Sequence, residues 1–214
     1  MKLLPVALNL EGKRVLVVGG GAVAERKARA CVECGAQVRV IAPELCAEFA
    51  ALAGRFEYEK RRYAVGDCAG SALVFAATDQ RAVNAQVQAE AREAGAWCSV
   101  ADDPHGSDLH GAATVQRGAI TVGITTGGGS PALARHLKER VAAAIGPEYE
   151  TLLELLAARR GSEARTGDQA ERADRWRAVL KGEVLELLRA GQTDEAARKL
   201  DEILSEPEGT RLPC

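Results

Sequence analysis

Gly19, Gly21 and Ala24 stand at the spacing G-x-G-x-x-G/A, directly after the apolar run Val15-Leu16-Val17-Val18 and at the opening of a helical pattern. Residue types at this spacing bring a diphosphate against bare backbone. Gly19 permits the tight turn, Gly21 lets the backbone approach a pyrophosphate, and Ala24 allows a helix to pack close on a strand. A helix is expected over Ala22–Cys34, and its first N–H groups, at Ala22, Val23 and Ala24, would meet the phosphates with the helix dipole behind them. Alone, such a triplet also fits a glycine turn that merely ends a buried strand. The context favours the dinucleotide. The next strand, Gln37–Ala42, ends at Pro43-Glu44, about 20 residues beyond the fingerprint, where an adenine ribose is met. Glu44 there stands in for the usual ribose-binding acid, so NAD is expected over NADP. Thr78 and Asp79 follow a further apolar run and read as a helix start, in a loop that a doubly wound sheet places beside the cofactor.

Those residues need a parallel sheet to carry them. Val15–Val18 and Ala72–Ala77 are apolar runs suited to strands buried on both faces, and Trp97–Ala101 reads as a third of the same kind. Helical patterns cover Glu44–Ala53 and Arg81–Ala94, and Arg55–Glu59 reads as a strand. The basic trio Lys60-Arg61-Arg62 beyond it is read as a solvated edge rather than a ligand contact. This alternation predicts a Rossmann-like α/β domain over residues 1–112. The style then changes. Ala113–Gln116 and Ala119–Ile124 form a hairpin pattern joined at Arg117-Gly118, and Thr126-Gly127-Gly128-Gly129-Ser130-Pro131 leads into a helix over Ala132–Ile145, giving a small α+β region at 113–146. Residues 147–214 read as a helical C-terminal domain, with helices over Glu148–Arg160, Gln169–Arg189 and Thr193–Leu204 and a loose tail from Ser205.

Composition bounds the partners. A chain of 214 residues with 47% hydrophobic content can bury a substantial core, and its 28 basic and 30 acidic residues give a net charge of −2 with no basic block. Nucleic acid is therefore not an expected partner. No apolar run reaches the roughly 18 residues of a membrane span, and Met1–Pro5 is too short for a signal peptide. A cytoplasmic enzyme is expected. The six cysteines are scattered, which suits free thiols, and Cys31 and Cys34 fall inside a helix as small packing residues.

Four ordered stretches, Gly19-Gly20-Gly21-x-Val23-Ala24-x-Arg26-Lys27, Ala76-Ala77-Thr78-Asp79, Val100-x-Asp102-x-Pro104 and Thr126-Gly127-Gly128-Gly129-Ser130-Pro131-Ala132-Leu133-Ala134-Arg135, resemble the precorrin-2 dehydrogenase / sirohydrochlorin ferrochelatase family. The same module forms the amino-terminal half of bifunctional siroheme synthases. The resemblance implies oxidation of precorrin-2 to sirohydrochlorin with NAD⁺, in some members Fe²⁺ insertion, and a homodimer joined through the region after the Rossmann domain. It also implies that Asp102 is the essential acid, a base at the end of a sheet strand, although Asp-Asp-Pro is turn chemistry too. The loop Thr126, Gly127, Gly128, Gly129 and Ser130 is expected to cradle a substrate carboxylate on its N–H groups, a flexible loop being the plainer alternative, with Arg135 either adding charge or lying on a solvated helix face. After Pro104 the family's C-x-F-x-x-P is replaced by a run holding Asp108, Leu109, His110 and Ala112. His105, Asp108 and His110 with Asp102 and Asp103 can be read as metal-facing, or more plainly as a polar loop; no metal ligand is assigned. A non-enzymatic NAD(H) sensor is the rival reading, and it would need neither Asp102 nor the second glycine loop.

Overall fold

The computed structural model describes residues 2–159, 176–180 and 182–205. Two compact units divide between Gly111 and Ala112. The first holds β1 (Arg14–Val18), α1 (Ala22–Glu33), β2 (Gln37–Ala42), a 3-10 helix (Ala47–Leu52), β3 (Glu57–Lys60), β4 (Leu73–Ala76), α2 (Arg81–Glu93) and β5 (Trp97–Val100). Its five strands are all parallel, in the order β3-β2-β1-β4-β5.

Alternation along β1 shows why the sheet is covered on both sides. Val15 and Val17 enter one core with Ala24, Ala28, Cys31 and Val32 of α1, a helical stripe of small and branched residues. Leu16 and Val18 enter the other, with Val87 and Ala91 of α2. These four β1 side chains are at most 1% exposed, and each buried aliphatic contributes about 1.5–3 kcal/mol. Cys31 belongs to this packing, its thiol pushed up to about 11 by burial. The described cysteines are all free.

Several element ends differ from expectation. The helix expected from Glu44 is a short 3-10 turn beginning at Ala47, because the Cys46 N–H donates to the Gly20 carbonyl at 2.8 Å and holds Cys46 extended beside the glycine turn. β3 starts at Glu57 rather than Arg55, since Phe56 packs its ring on Phe49. α2 is capped at Gln80, two residues after Thr78, whose Oγ1 accepts from the Gln80 N–H.

The second unit holds β6 (Ala113–Arg117), β7 (Ile120–Ile124), α3 (Pro131–Ala144), α4 (Glu148–Ala158), α5 (Glu183–Arg189) and α6 (Thr193–Ser205). β6 and β7 form the antiparallel hairpin with Val115 opposite Val122. Arg117 ties it to the end of α3, donating to the carbonyls of Ile145 and Ala142 at 3.0 and 3.1 Å. Leu152, Val179, Val184, Leu188, Leu200 and Leu204 build a separate core. The helix expected over Gln169–Arg189 is broken before Glu183, where Gly182 is extended; a glycine inside a helix costs about 1 kcal/mol. Residues 169–175, the stretch 161–168 and the tail beyond Ser205 lie outside the described residues.

Candidate functional site

At the carboxyl ends of β1, β2 and β4 lies a cleft of about 650 Å³. Its floor is the glycine turn, which is held from both sides: the Gly19 N–H donates to the Ile41 carbonyl at 2.9 Å, and the Ala77 N–H to the Val18 carbonyl at 2.8 Å. Gly19 has φ +127°, and a Cβ there would lie 2.3 Å from the Ala77 oxygen. At Gly20 a Cβ would lie 1.8 Å from the Glu44 oxygen. Gly21 is different. It is the N-cap of α1, makes no side-chain cap bond, and has nothing within 4 Å of a Cβ position. The space over Gly21 is open to a ligand, and the first N–H groups of α1 have no intrahelical partner to occupy them. Behind them Ala24 is fully buried against the sheet while Val23 is half-exposed.

Glu44, Thr78 and Asp79 line the same cleft as Gly19 and Gly21. The structure therefore brings the fingerprint, the strand-end acid and the Thr78-Asp79 loop together in one place. It adds Arg62 and Tyr63 as further walls, so Arg62 is not simply a solvated edge. Arg61 faces elsewhere, bonding Asp67 through both oxygens at 2.7 and 2.8 Å.

Asp102 and Asp103 divide their work. The Asp103 carboxylate caps the turn, accepting from the Gly106 N–H at 2.9 Å. Asp102 takes no part in the turn: its Oδ1 accepts from Asn84 Nδ2 at 2.8 Å, and its Oδ2 lies 3.2 Å from Arg81 Nε. Asn84 in turn bonds Thr78 of the cleft wall, which places Asp102 one side chain behind that wall. In the following loop the carboxylates are engaged with backbone. Asp103 serves Gly106, and Asp108 accepts from the Cys98 N–H at 2.9 Å. Among the described residues no three His, Cys, Asp or Glu side chains converge on a point where an ion could sit.

The second glycine loop lies in the second unit. Gly127 and Gly128 have φ +61° and +83°, the left-handed turn that glycine allows. Its N–H groups are mostly consumed inside the loop, which corrects the expectation of an open nest. The Gly127 N–H goes to Thr125 Oγ1, that of Gly129 to the Thr126 carbonyl, and that of Ser130 to Thr126 Oγ1. Ser130 Oγ caps α3 by accepting from the Leu133 N–H at 3.1 Å. Of the four N–H groups from Gly127 to Ser130, Gly128 retains a free one. Arg135 is exposed on α3.

Gly20 and Asn84 were not singled out by sequence, and Arg62 was read there only as part of a solvated edge. Gly20 occupies the unspecified position of the fingerprint, though the triple glycine was visible. Asn84 carries no motif, and its partners are found only once α2 is folded against the ends of β4 and β5.

Comparison with known proteins agrees with this geometry. A siroheme synthase of Ectopseudomonas mendocina (strain ymp) is 37% identical over 206 residues, which is 96% of this chain and 45% of its own. One from Pseudomonas entomophila (strain L48) is 39% identical over 203 residues, 94% of this chain and 44% of its own. The chain thus spans less than half the length of these relatives. In fold it is similar to SirC, a precorrin-2 dehydrogenase, with a TM-score of 0.74 at 22% identity, covering 94% of this chain and 100% of that one. The family model described as "Putative NAD(P)-binding" matches residues 6–113, half of the chain and the whole of the glycine turn and its cleft, and the chain belongs to that family.

Proposed function

We propose that this chain oxidises precorrin-2 to sirohydrochlorin with NAD⁺, a dehydrogenation in siroheme formation. The observation that carries the reading is the Asp102 carboxylate, fixed at a strand end by Asn84 and left out of the turn that Asp103 caps. A protein that only sensed NAD(H) would have no use for it.

The residues suit the cofactor. Gly19 and Gly21 with the N–H groups of Ala22, Val23 and Ala24 hold the diphosphate, Glu44 accepts from the adenine ribose hydroxyls, and Thr78 and Asp79 wall the cleft beside them. When bound, the nicotinamide ring accepts a hydride. Precorrin-2 loses two hydrogens, one as that hydride and one as a proton, and Asp102 receives the proton before passing it to solvent. The substrate carries eight carboxylates. We assign the loop Thr126–Ser130, through the free Gly128 N–H, and the Arg135 guanidinium to their recognition.

Metal insertion by this chain is proposed to be weak or absent. It requires the macrocycle held open to an ion while pyrrole protons leave, and after Pro104 the family's residues are replaced by a run in which the Asp108 carboxylate is taken up by the Cys98 N–H. We further assign the chain to the cytoplasm, where scattered cysteines stay reduced, and to a homodimer formed through 113–146. Among the described residues no helix is long and apolar enough to cross a membrane.

Asp102→Asn tests the reading. It should keep NAD⁺ binding and lose about 10²–10⁴-fold in turnover of precorrin-2, the usual worth of a general base. Wild-type turnover in Asp102→Asn would remove the base assignment. Rapid Fe²⁺ insertion into sirohydrochlorin by the unaltered chain would overturn the exclusion of chelation and turn attention to His105 and His110.

A further inference from the structure

Asn84 is 1% exposed, and its amide is fully committed to two segments that lie on either side of it in sequence. Its Oδ1 accepts from the Thr78 N–H at 3.1 Å and from Thr78 Oγ1 at 2.7 Å. Its Nδ2 donates to the Thr78 carbonyl at 3.1 Å and to Asp102 Oδ1 at 2.8 Å. The orientation of the amide is not free. A backbone N–H can only donate, so the oxygen must face Thr78 N and the NH₂ must face Asp102. The Asn84 backbone is anchored as well, its N–H donating to the Gln80 carbonyl at 3.0 Å in the first turn of α2.

We propose that Asn84 is a positioning residue that aims the Asp102 carboxylate and couples its orientation to Thr78 of the cofactor cleft. The inference rests on the reading of Asp102 as the base. With Oδ1 held by the Asn84 amide, the oxygen left to take a proton is Oδ2. Its other neighbour, Arg81, has a side chain 87% exposed and is too solvated to fix the carboxylate alone. Asn84 is buried and fully bonded, so it holds a single geometry, and buried networks of this kind move as a unit. The seat of the cofactor and the aim of the base are thereby set by one side chain.

The two halves of the Asn84 amide can be separated by substitution. Asn84→Asp keeps an oxygen for Thr78 N and Oγ1, two of the three bonds to Thr78, but replaces the donor that faces Asp102 and the Thr78 carbonyl by a second acceptor. In the full chain at neutral pH, with precorrin-2 and NAD⁺, it should lower kcat about 10- to 100-fold while KM for precorrin-2 and affinity for NADH, read by cofactor fluorescence, change less than about threefold. Asn84→Ser loses both halves, so kcat and NADH affinity should fall together. This smaller residue also carries the test should the two facing carboxylates prevent folding. The decisive measurement is a cycle with Asp102→Asn. If Asn84 acts through Asp102, adding either Asn84 substitution to Asp102→Asn should cost less than about twofold further in kcat. Full multiplication of the two losses, or a near-wild-type kcat in Asn84→Asp, would overturn the proposal and leave Asp102 as base. Wild-type turnover by Asp102→Asn alone would remove the base reading, and this inference with it.

Discussion

The three adjacent glycines of the turn do three different things, and substitutions should separate them. A Cβ at Gly20 meets the Glu44 carbonyl, which is backbone and is itself tied down through Cys46. Gly20→Ala should therefore destabilise the fold by about 1–3 kcal/mol, as overpacking does, seen as a fall in the unfolding midpoint. Gly21 faces open space, so Gly21→Asp should melt with the wild type yet lose NAD⁺ binding, because it sets a negative charge where the diphosphate belongs. Normal cofactor affinity in Gly21→Asp would take the fingerprint out of the argument. Selectivity is also decided residue by residue. Glu44 favours an adenine ribose with a free hydroxyl, while Arg62 offers the cleft a cation that could accept a 2′-phosphate. Wild type should prefer NAD⁺ by kcat/KM, and Arg62→Ala should depress whatever NADP⁺ use remains while sparing NAD⁺. Equal use of NADP⁺ would mean that the ribose acid has been misplaced. Gly19, Gly21 and Glu44 were legible in the sequence because a local spacing encodes them. Gly20 was not, since its constraint comes from the chain crossing over it after β2, and Asn84 was not, since its meaning depends on Asp102 eighteen positions away.

Between β3 and β4 the segment 61–70 is held by two carboxylates rather than by regular structure. Asp67, largely buried, accepts from Arg61 through both oxygens and from the Ala64 N–H at 2.8 Å. Glu90 of α2 reaches across to the N–H groups of Gly66 and Cys68, both at 2.9 Å, and takes the Tyr63 hydroxyl. Tyr63 lines the cofactor cleft, so this packing shapes the site. The Arg61 guanidinium lowers the Asp67 carboxyl below its ordinary value, the Ala64 N–H acting in the same sense. A carboxylate depressed in the folded state stabilises above its unfolded pKa, and that stabilisation is lost as pH falls toward the folded value. Asp67→Asn should thus cost about 2 kcal/mol at neutral pH, with the gap to wild type closing below about pH 4, where the unfolded carboxyl titrates. Denaturant unfolding at the two pH values checks it; a gap that persisted in acid would assign the loss to shape rather than charge. The strands around this segment could be read from their apolar runs. Its own fold could not, because Arg61 and Arg62 look alike in sequence and only the approach of Asp67 ties one down and leaves the other at the cleft.

At the scale of the whole molecule, α3 of the second unit is a long helix with no buried face. α3 runs for fourteen residues with none buried, and Leu133 and Leu137 are 49% and 39% exposed on a stripe that continues to Val141. The hairpin beside it buries Val115 alone. A helix of this length is marginal in water unless its apolar face is covered, and exposed apolar stripes of this kind mark sites of association. A second copy of the chain is the occupant we propose, in keeping with the homodimer implied by the family resemblance. A closed two-fold pairing would bury the stripe against itself or its neighbours. Light scattering at micromolar concentration should report twice the chain mass, and Leu137→Asp, which adds a charge to the middle of the stripe without touching any of the three cores, should give a monomer. The glycine turn lies in the other unit, so NADH affinity should survive the substitution even if turnover does not. A wild-type protein that scatters as a clean monomer at that concentration, or a Leu137→Asp variant that remains a dimer, would show that α3 is not the surface through which two chains meet.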